Sequence, residues 1–369
     1  MSVPVAWRNL SESPTRFFIS IGGIALAALL VLVLDGVFEG SQRQVTAYID
    51  NSDFDVAVSQ RGVKNLHMTT SFFPAERLEE IRDVEGVADL SPILYTTSFL
   101  ISEDDRSLVY LIGYRPGEPG GPWVEGAGDV PPRPGEVVVD ERIAERLGVG
   151  IGDEVVLGGR RVPVGGLTRD TVNIVNAIAF VRFEDFERMQ GVRGVASYGL
   201  VRTEEGASAD EVGERIRETV DGVTVQTREE FAESERRIVG DMSVDIMRIM
   251  NVFGFLIGLA VVGLTVYSST LSKLREFGLL KAVGAPAGRL FRVVFGQAAI
   301  SLTAGLALAL ALAALVAVAL PLAGSNLSVV IAPVSVLRVA ASAAVIGLLA
   351  SAVPIARIVG LDPADVFRR

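Results

Sequence analysis

The sequence predicts an α-helical membrane protein with four transmembrane helices and an α+β extracytoplasmic domain carrying an inserted small β subdomain. Three observations predict it. The chain has 369 residues, is 50% hydrophobic and has a mean hydropathy of +0.43, more apolar than a soluble domain of that length. The excess sits in one run near the N-terminus and three near the C-terminus. The charges divide along the same line: residues 35–251 hold 40 acidic and 23 basic side chains, and the remainder holds 4 acidic and 11 basic.

The first span, 17–34, follows Arg8 and Arg16 and precedes Asp35 and Glu39. It is just long enough for a hydrocarbon core of about 30 Å. A cleaved signal peptide is disfavoured by the long polar lead and the lack of a well-placed small-x-small site. Residues 1–16, with Val5, Trp7 and Leu10 among polar side chains, read as a cytoplasmic interfacial helix or a disordered tail. The second span, 251–272, lies between Arg248 and the pair Lys273 and Arg275. The third, 292–320, has Gln297 as its only strongly polar residue after Arg292 at its start, and the fourth, 334–358, carries Arg338 and Arg357.

Orientation follows from the short basic segments. The lead, the segment 273–291 and the tail 359–369 fall on one side if there are four spans. Both termini are then cytoplasmic at the cell (inner or plasma) membrane. The acidic domain and the uncharged outer loop 321–333 lie outside.

Segments 35–51 and 227–250 are helix-compatible and read as a stalk. The domain at 52–226 reads as two α+β halves, about 52–100 and 190–226, each with the order strand, helix, strand. The first half has strands at 54–58 and 87–100 around a helix at 75–84, opened by Pro74. The second has strands at 195–201 and 223–226 around a helix at 209–220. Between them, about 101–189, short β-rich pieces at 108–113, 136–139, 154–157, 161–164 and 177–183 alternate with Gly-Asp, Gly-Gly and Pro-Gly turns. A short helix at 141–147 interrupts them, and the Pro/Gly-rich stretch 116–134 reads as a long loop.

Several kinds of chemistry are poorly supplied. There is no cysteine and one histidine, His67, which reads as a solvated loop residue, so no metal site is expected. No G-x-x-x-x-G-K-[ST] loop, G-x-S-x-G elbow or zinc-ligand spacing is present, so no cofactor and no enzymatic activity are expected. Gly148 to Asp153 reads as a turn rather than a dinucleotide fingerprint. The acidic middle disfavours nucleic acid as a partner. Gly254 and Gly258 form a G-x-x-x-G in the second span, which suits either a dimer contact or close packing within the chain.

The segment 274–285, LREFGLLKAVGA, is the most informative. By itself it is a short amphipathic helix with basic residues on one face, followed by a Gly-Ala-Pro-Ala-Gly turn. It suits a partner's grip, or a generic positive-inside loop. It also resembles the coupling-loop signature of FtsX/MacB-type ABC transporter permeases (type VII). Arg275, Glu276, Phe277, Gly278, Lys281, Ala282, Gly284 and Ala285 match its positions, with Phe277 in place of the commoner isoleucine. The start AWRNLSESPTRFFISIGGIALA, the segment GEVVVDERIAERLGVGIGDEV and the tail from Asp362 are similar to other parts of that family, although Asp365, Val366 and Phe367 depart from the usual tail.

The resemblance implies a homodimer of single four-span modules in the lipid bilayer, served by two copies of a separate ABC ATPase subunit. ATP-driven closure would pass through the coupling helix and stalk to the outside domain, a mode called mechanotransmission. It would extract or export an amphipathic substrate, with room for a periplasmic adaptor. The alternative is an FtsX-like signalling protein that switches an extracytoplasmic cell-wall hydrolase.

Overall fold

The computed structural model describes residues 14–103, 105–171, 177–272, 286–322 and 327–359. In chain order the elements begin with α1 (Pro14–Asn51), β1 (Val56–Gln60), β2 (Phe73–Pro74), α2 (Glu76–Arg82), β3 (Val87–Ile101) and β4 (Arg106–Tyr114). There follow β5 (Glu125–Gly128), β6 (Val137–Asp140), α3 (Glu141–Leu147), β7 (Glu154–Leu157), β8 (Arg160–Thr168), β9 (Ala177–Arg182) and α4 (Phe183–Gln190). The chain continues through β10 (Val195–Ala196), β11 (Tyr198–Thr203), α5 (Ala209–Thr219), β12 (Val223–Thr227), α6 (Arg228–Ser272), α7 (Ala287–Leu322) and α8 (Pro333–Val359). Two units divide it, Met1–Gly40 with Ser243–Arg369, and Ser41–Met242.

The first unit is helical. Among the described residues three helices are long and apolar enough to cross a membrane, over Ile21–Asn51, Phe295–Leu322 and Pro333–Ala352. The second span read from the sequence coincides with a shorter apolar stretch of α6, Val252–Ser268. One buried cluster draws on all four helices: Ile24 of α1, Val262 and Val266 of α6, Ala298 and Leu302 of α7, Ile346 and Ala350 of α8. Small residues let the backbones approach, and Gly305 of α7 lies against the Ile24 side chain. Leu26, Leu264, Leu315 and Leu337 point away from the interior and are exposed, as lipid-facing positions require.

The second unit is built on one ten-stranded sheet in the order β12-β1-β11-β3-β4-β9-β6-β8-β5, with β7 pairing β3 and β8. The 15-residue β3 serves two neighbours in turn. Residues from Val87 to Ile93 pair with β11, and Leu94 to Ile101 pair with β4. Side chains of a strand alternate between faces, and here both faces are buried. Leu94 goes to one cluster while Ile93 and Tyr95 go to another, and Val138 and Phe180 are separated in the same way from Val137, Val139 and Ala179. Helices α2 and α5 cover Val56, Val58, Leu90 and Val201 at one end of the sheet, and α3 and α4 pack at the other. The opposite face carries Tyr48 and Ile49 from the end of α1 and Phe231 and Ala232 from the start of α6.

Most of the expected strands and helices of this unit are present within a few residues. Two differ. The stretch 116–134 is not all loop, because β5 forms inside it and pairs with β8. The strand expected at 177–183 ends at Arg182, and Phe183 opens α4, which Gly191 closes in the left-handed conformation at φ 67°.

Candidate functional site: the seats of the long helices

The matched coupling residues Arg275, Glu276, Phe277, Gly278, Lys281, Ala282, Gly284 and Ala285 lie outside the described residues, as do residues 1–13 of the interfacial segment expected at 1–16, whose last three residues belong to α1. The helices that flank the coupling segment are described: α6 ends at Ser272 and α7 begins at Ala287. α1 runs for 38 residues and α6 for 45, each without interruption. At about 1.5 Å per residue α6 is about 68 Å long, more than twice a hydrocarbon core.

Within the domain unit both helices end in built seats. Thr227 and Glu230 form a reciprocal capping box at the start of α6. The Glu230 backbone N–H donates to Thr227 Oγ1 at 3.3 Å, and the Thr227 N–H donates to Glu230 Oε2 at 2.9 Å. Two turns on, Glu235 is fully buried. One of its oxygens accepts from the Leu66 N–H, and the other lies 2.7 Å from His67 Nδ1.

A buried carboxylate is tolerated only when it is paired and hydrogen-bonded, so this residue fixes α6 to the segment after β1. The segment is also held by the Tyr198 hydroxyl, which donates to Asn65 O at 2.9 Å, and by the Tyr198 ring, 5.5 Å from Phe231. Tyr110 meets His67 edge-on at 4.9 Å and lies 5.6 Å from Tyr95 with the two rings tilted by 31°. Burial, with the nearby Glu235 charge adding to it, pushes the Tyr95 and Tyr198 hydroxyls well above the usual phenol range, so both stay neutral.

His67 therefore corrects the sequence reading. It is in a loop, but its side chain is only 12% exposed and is bound to Glu235. Nothing local marks this, since the partner is 168 residues away. The seat of α1 is simpler. The Tyr48 hydroxyl donates to Gly120 O at 2.9 Å, and its ring meets Trp123 edge-on at 6.2 Å. Gly120 is at φ 102°, and a Cβ there would meet Ile93 at 2.5 Å, so this approach requires glycine.

Within the membrane unit a second cluster joins α1 to the start of α8. Asp35, 5% exposed, accepts two hydrogen bonds from Arg338 Nη1 at 3.0 and 3.2 Å. One residue on, Gly36 O accepts from the Val330 N–H at 2.9 Å, and the chain at Ser328 presses on Gly40 where no Cβ would fit. The opposite charges at Asp35 and Arg338 were visible as flanks of the first and fourth spans, but their pairing was not foreseen. Gly254 and Gly258 face helices of their own chain. A Cβ on Gly254 would overlap Val31, and one on Gly258 would meet Ile346 at 3.0 Å. The two glycines, Val31, Ile346 and Arg338 line a cavity of about 220 Å³.

Residues 17–219 match the MacB-like periplasmic core domain, and residues 248–363 match the FtsX-like permease C-terminal region. The chain belongs to the FtsX/MacB-type family of ABC transporter permeases. Two Mycobacterium tuberculosis proteins, each named an uncharacterized ABC transporter permease, are 26% identical to it over 375 and 372 residues, with 98% of this chain and 98% of each relative covered. Among solved structures it is similar to the extracellular domain of the noncanonic ABC-type transporter YknZ from Gram-positive bacteria, at 15% identity and a TM-score of 0.35, covering 47% of this chain and 98% of that one. The periplasmic region of MacB from Actinobacillus actinomycetemcomitans aligns at 10% identity and a TM-score of 0.38, covering 50% and 94%. Membership of this family places the chain in a membrane and implies an ATPase partner.

Proposed function

We propose that this permease transmits mechanical work from its ATPase to the α+β domain, by which an amphipathic substrate is extracted or exported. The permease itself carries no catalytic step in this reading. The chain spans the membrane four times with both termini in the cytoplasm, and acts as a homodimer with two ATPase copies. One observation carries the reading: α1 and α6 are uninterrupted, and their far ends are fixed by buried polar contacts, Tyr48 to Gly120 and Glu235 to Leu66 and His67. A rigid helix with a pinned end passes displacement on, whereas one ending in a loose loop would dissipate it. The pairing of Asp35 with Arg338 supports four spans, since the end of the first and the start of the fourth then share one side.

The test is ATPase stimulation in vesicles that hold the permease and its ATPase. Charge reversal at Arg275 or Lys281, or Ala282→Pro, is expected to reduce stimulation about tenfold or more, an effect of at least ~1.4 kcal/mol, with membrane insertion unchanged. Stimulation at the level of the unaltered chain in all three variants would overturn the coupling assignment.

A further inference from the structure

The cavity beside Gly254 and Gly258 lies wholly within the membrane unit. Its 220 Å³ is the liquid volume of about seven waters. Its walls are Ala28 and Val31 on α1, Phe255 and Val262 on α6, and Ala343 and Ile346 on α8, and α7 adds Leu302. Among the described residues Ser342 and Arg338 are the only polar side chains that line it, and no carboxylate does. An apolar void of this kind stays dry and leaves its walls short of contacts. An apolar chain would supply them.

The cavity has a direction. Along α8 the lining runs from Arg338 to Ile346, about 12 Å at about 1.5 Å per residue. The apolar stretch of α8 is Pro333–Ala352, so Arg338 stands near one end of it and Ile346 lies beyond its midpoint. A charged group is thus at one end of the cavity, and apolar side chains fill the rest of its length.

A charged side chain inside a span marks a functional site by default, and Asp35 uses only part of this one. Both hydrogen bonds to Asp35 leave from Arg338 Nη1, at 3.0 and 3.2 Å. A guanidinium has five N–H donors, so among the described residues those on Nε and Nη2 have no partner. Asp35 is 5% exposed and does not line the cavity, whereas Arg338 is 54% exposed and does. An occupant therefore meets a cation and no anion.

We propose that this cavity takes the apolar chain of a single-chain anionic amphiphile, whose acidic head accepts N–H donors from Arg338. Carboxylates and phosphates match the guanidinium fork. A neutral or cationic head would leave those donors unmet, and an anion without a chain would leave the cavity empty. The proposal gives a chemical class to the amphipathic substrate of the mechanical reading above. It rests on that reading for the occupant's role but not for its binding.

The test uses the full chain in phosphatidylcholine nanodiscs, without ATPase, at about pH 8.5, where a carboxylate is ionised. A palmitate analogue with a mid-chain diazirine is photolysed in place, and crosslinked residues are mapped by mass spectrometry. Labelling is expected to saturate at Phe255, Val262 and Ile346, and to exceed about tenfold that at Leu264 and Leu315, which are exposed on the outer surface of the helices. Palmitate should displace the probe, with 1-hexadecanol and hexadecyltrimethylammonium at least about tenfold weaker, which corresponds to ~1.4 kcal/mol. Asp35→Asn combined with Arg338→Gln replaces the ion pair by neutral amides. It should bring palmitate and 1-hexadecanol within about threefold of each other and leave the labelling map unchanged. Ala343→Phe should fill the cavity and remove the labelling, at a melting temperature that shows the helices still pack.

Labelling that does not saturate, or that is equal at Leu264 and Leu315, would mean ordinary surrounding lipid and would overturn the proposal. So would equal displacement by 1-hexadecanol in the unaltered chain. Stronger displacement by dipalmitoyl phosphatidate than by palmitate would overturn the single-chain assignment. Failure of the mechanical reading would appear instead as full ATPase stimulation in the coupling variants, so the two can fail separately.

Discussion

The two units bury carboxylates in different ways. Among the described residues of the domain unit the buried acids are Asp140, Asp185 and Glu235, and each accepts from at least one backbone N–H. Asp140 takes Arg142 and Thr171, Asp185 takes Gly135, and Glu235 takes Leu66. In the membrane unit the buried acid among the described residues is Asp35, held by the guanidinium of Arg338 on a long side chain. A backbone donor is placed by the fold and cannot leave without local unfolding. A guanidinium on a flexible stem can let go and re-form. The domain thus uses buried charge to fix its loops, and the helical unit uses it as a contact between helices that can be broken and restored.

That contrast can be broken by mutation. Glu235→Ala strands the Leu66 N–H and removes the carboxylate from His67, and should cost the domain about 3 kcal/mol, read as a loss of melting temperature in the full chain. A loss under about 1 kcal/mol would show that the seat of α6 does not depend on this contact.

In the membrane unit the cost should be smaller and asymmetric. Arg338→Met leaves Asp35 buried and unpaired, at about 2 kcal/mol, whereas Asp35→Ala leaves a half-exposed arginine that can reach the headgroups, at about 1 kcal/mol. Equal costs, or the reverse order, would remove the idea that Asp35 is the buried partner.

The smallest effect concerns the exposed pair of Asp89 and Arg202, 2.6 Å apart. The hydrogen bond from Arg202 holds the Asp89 carboxyl below the usual carboxylate range. A depressed folded pKa contributes stability above the ordinary value that is lost as pH falls through the depressed one. The unaltered chain should therefore exceed Arg202→Gln by about 0.5 kcal/mol at neutral pH, with the two converging in acid once Asp89 is protonated in the folded chain. A gap that persists in acid would assign the pair's effect to packing.

Legibility also differs between the units. The apolar runs of α1, α7 and α8 stand out because a membrane demands unbroken hydrophobicity. In the domain, β3 and β4 were readable because alternation and β-branched residues mark strands. The misses have local causes. α4 was hidden because the apolar run of β9 continues into Phe183, although Glu184, Asp185 and Gly191 carry helix start and stop signals. β5 is Glu-Gly-Ala-Gly, which has no strand propensity and forms only because β8 offers an edge. The pairings of His67 with Glu235 and of Asp35 with Arg338 join residues 168 and 303 positions apart, which no single sequence displays. The coupling segment differs again: its pattern is distinctive, and its residues lie outside the described ones.

The placement of β1 bears on how the chain is made. Both of its neighbours, β11 and β12, are formed by residues from Tyr198 to Thr227, while β1 itself ends at Gln60. A ribosome therefore delivers this strand long before anything exists to cover its two edges. The waiting segment ends only when Thr227 emerges, immediately before α6 is synthesised. Closure of the sheet and arrival of the second long helix thus belong to one late step of biogenesis. Until then β1 depends on chaperones, or on speed, to stay out of aggregates.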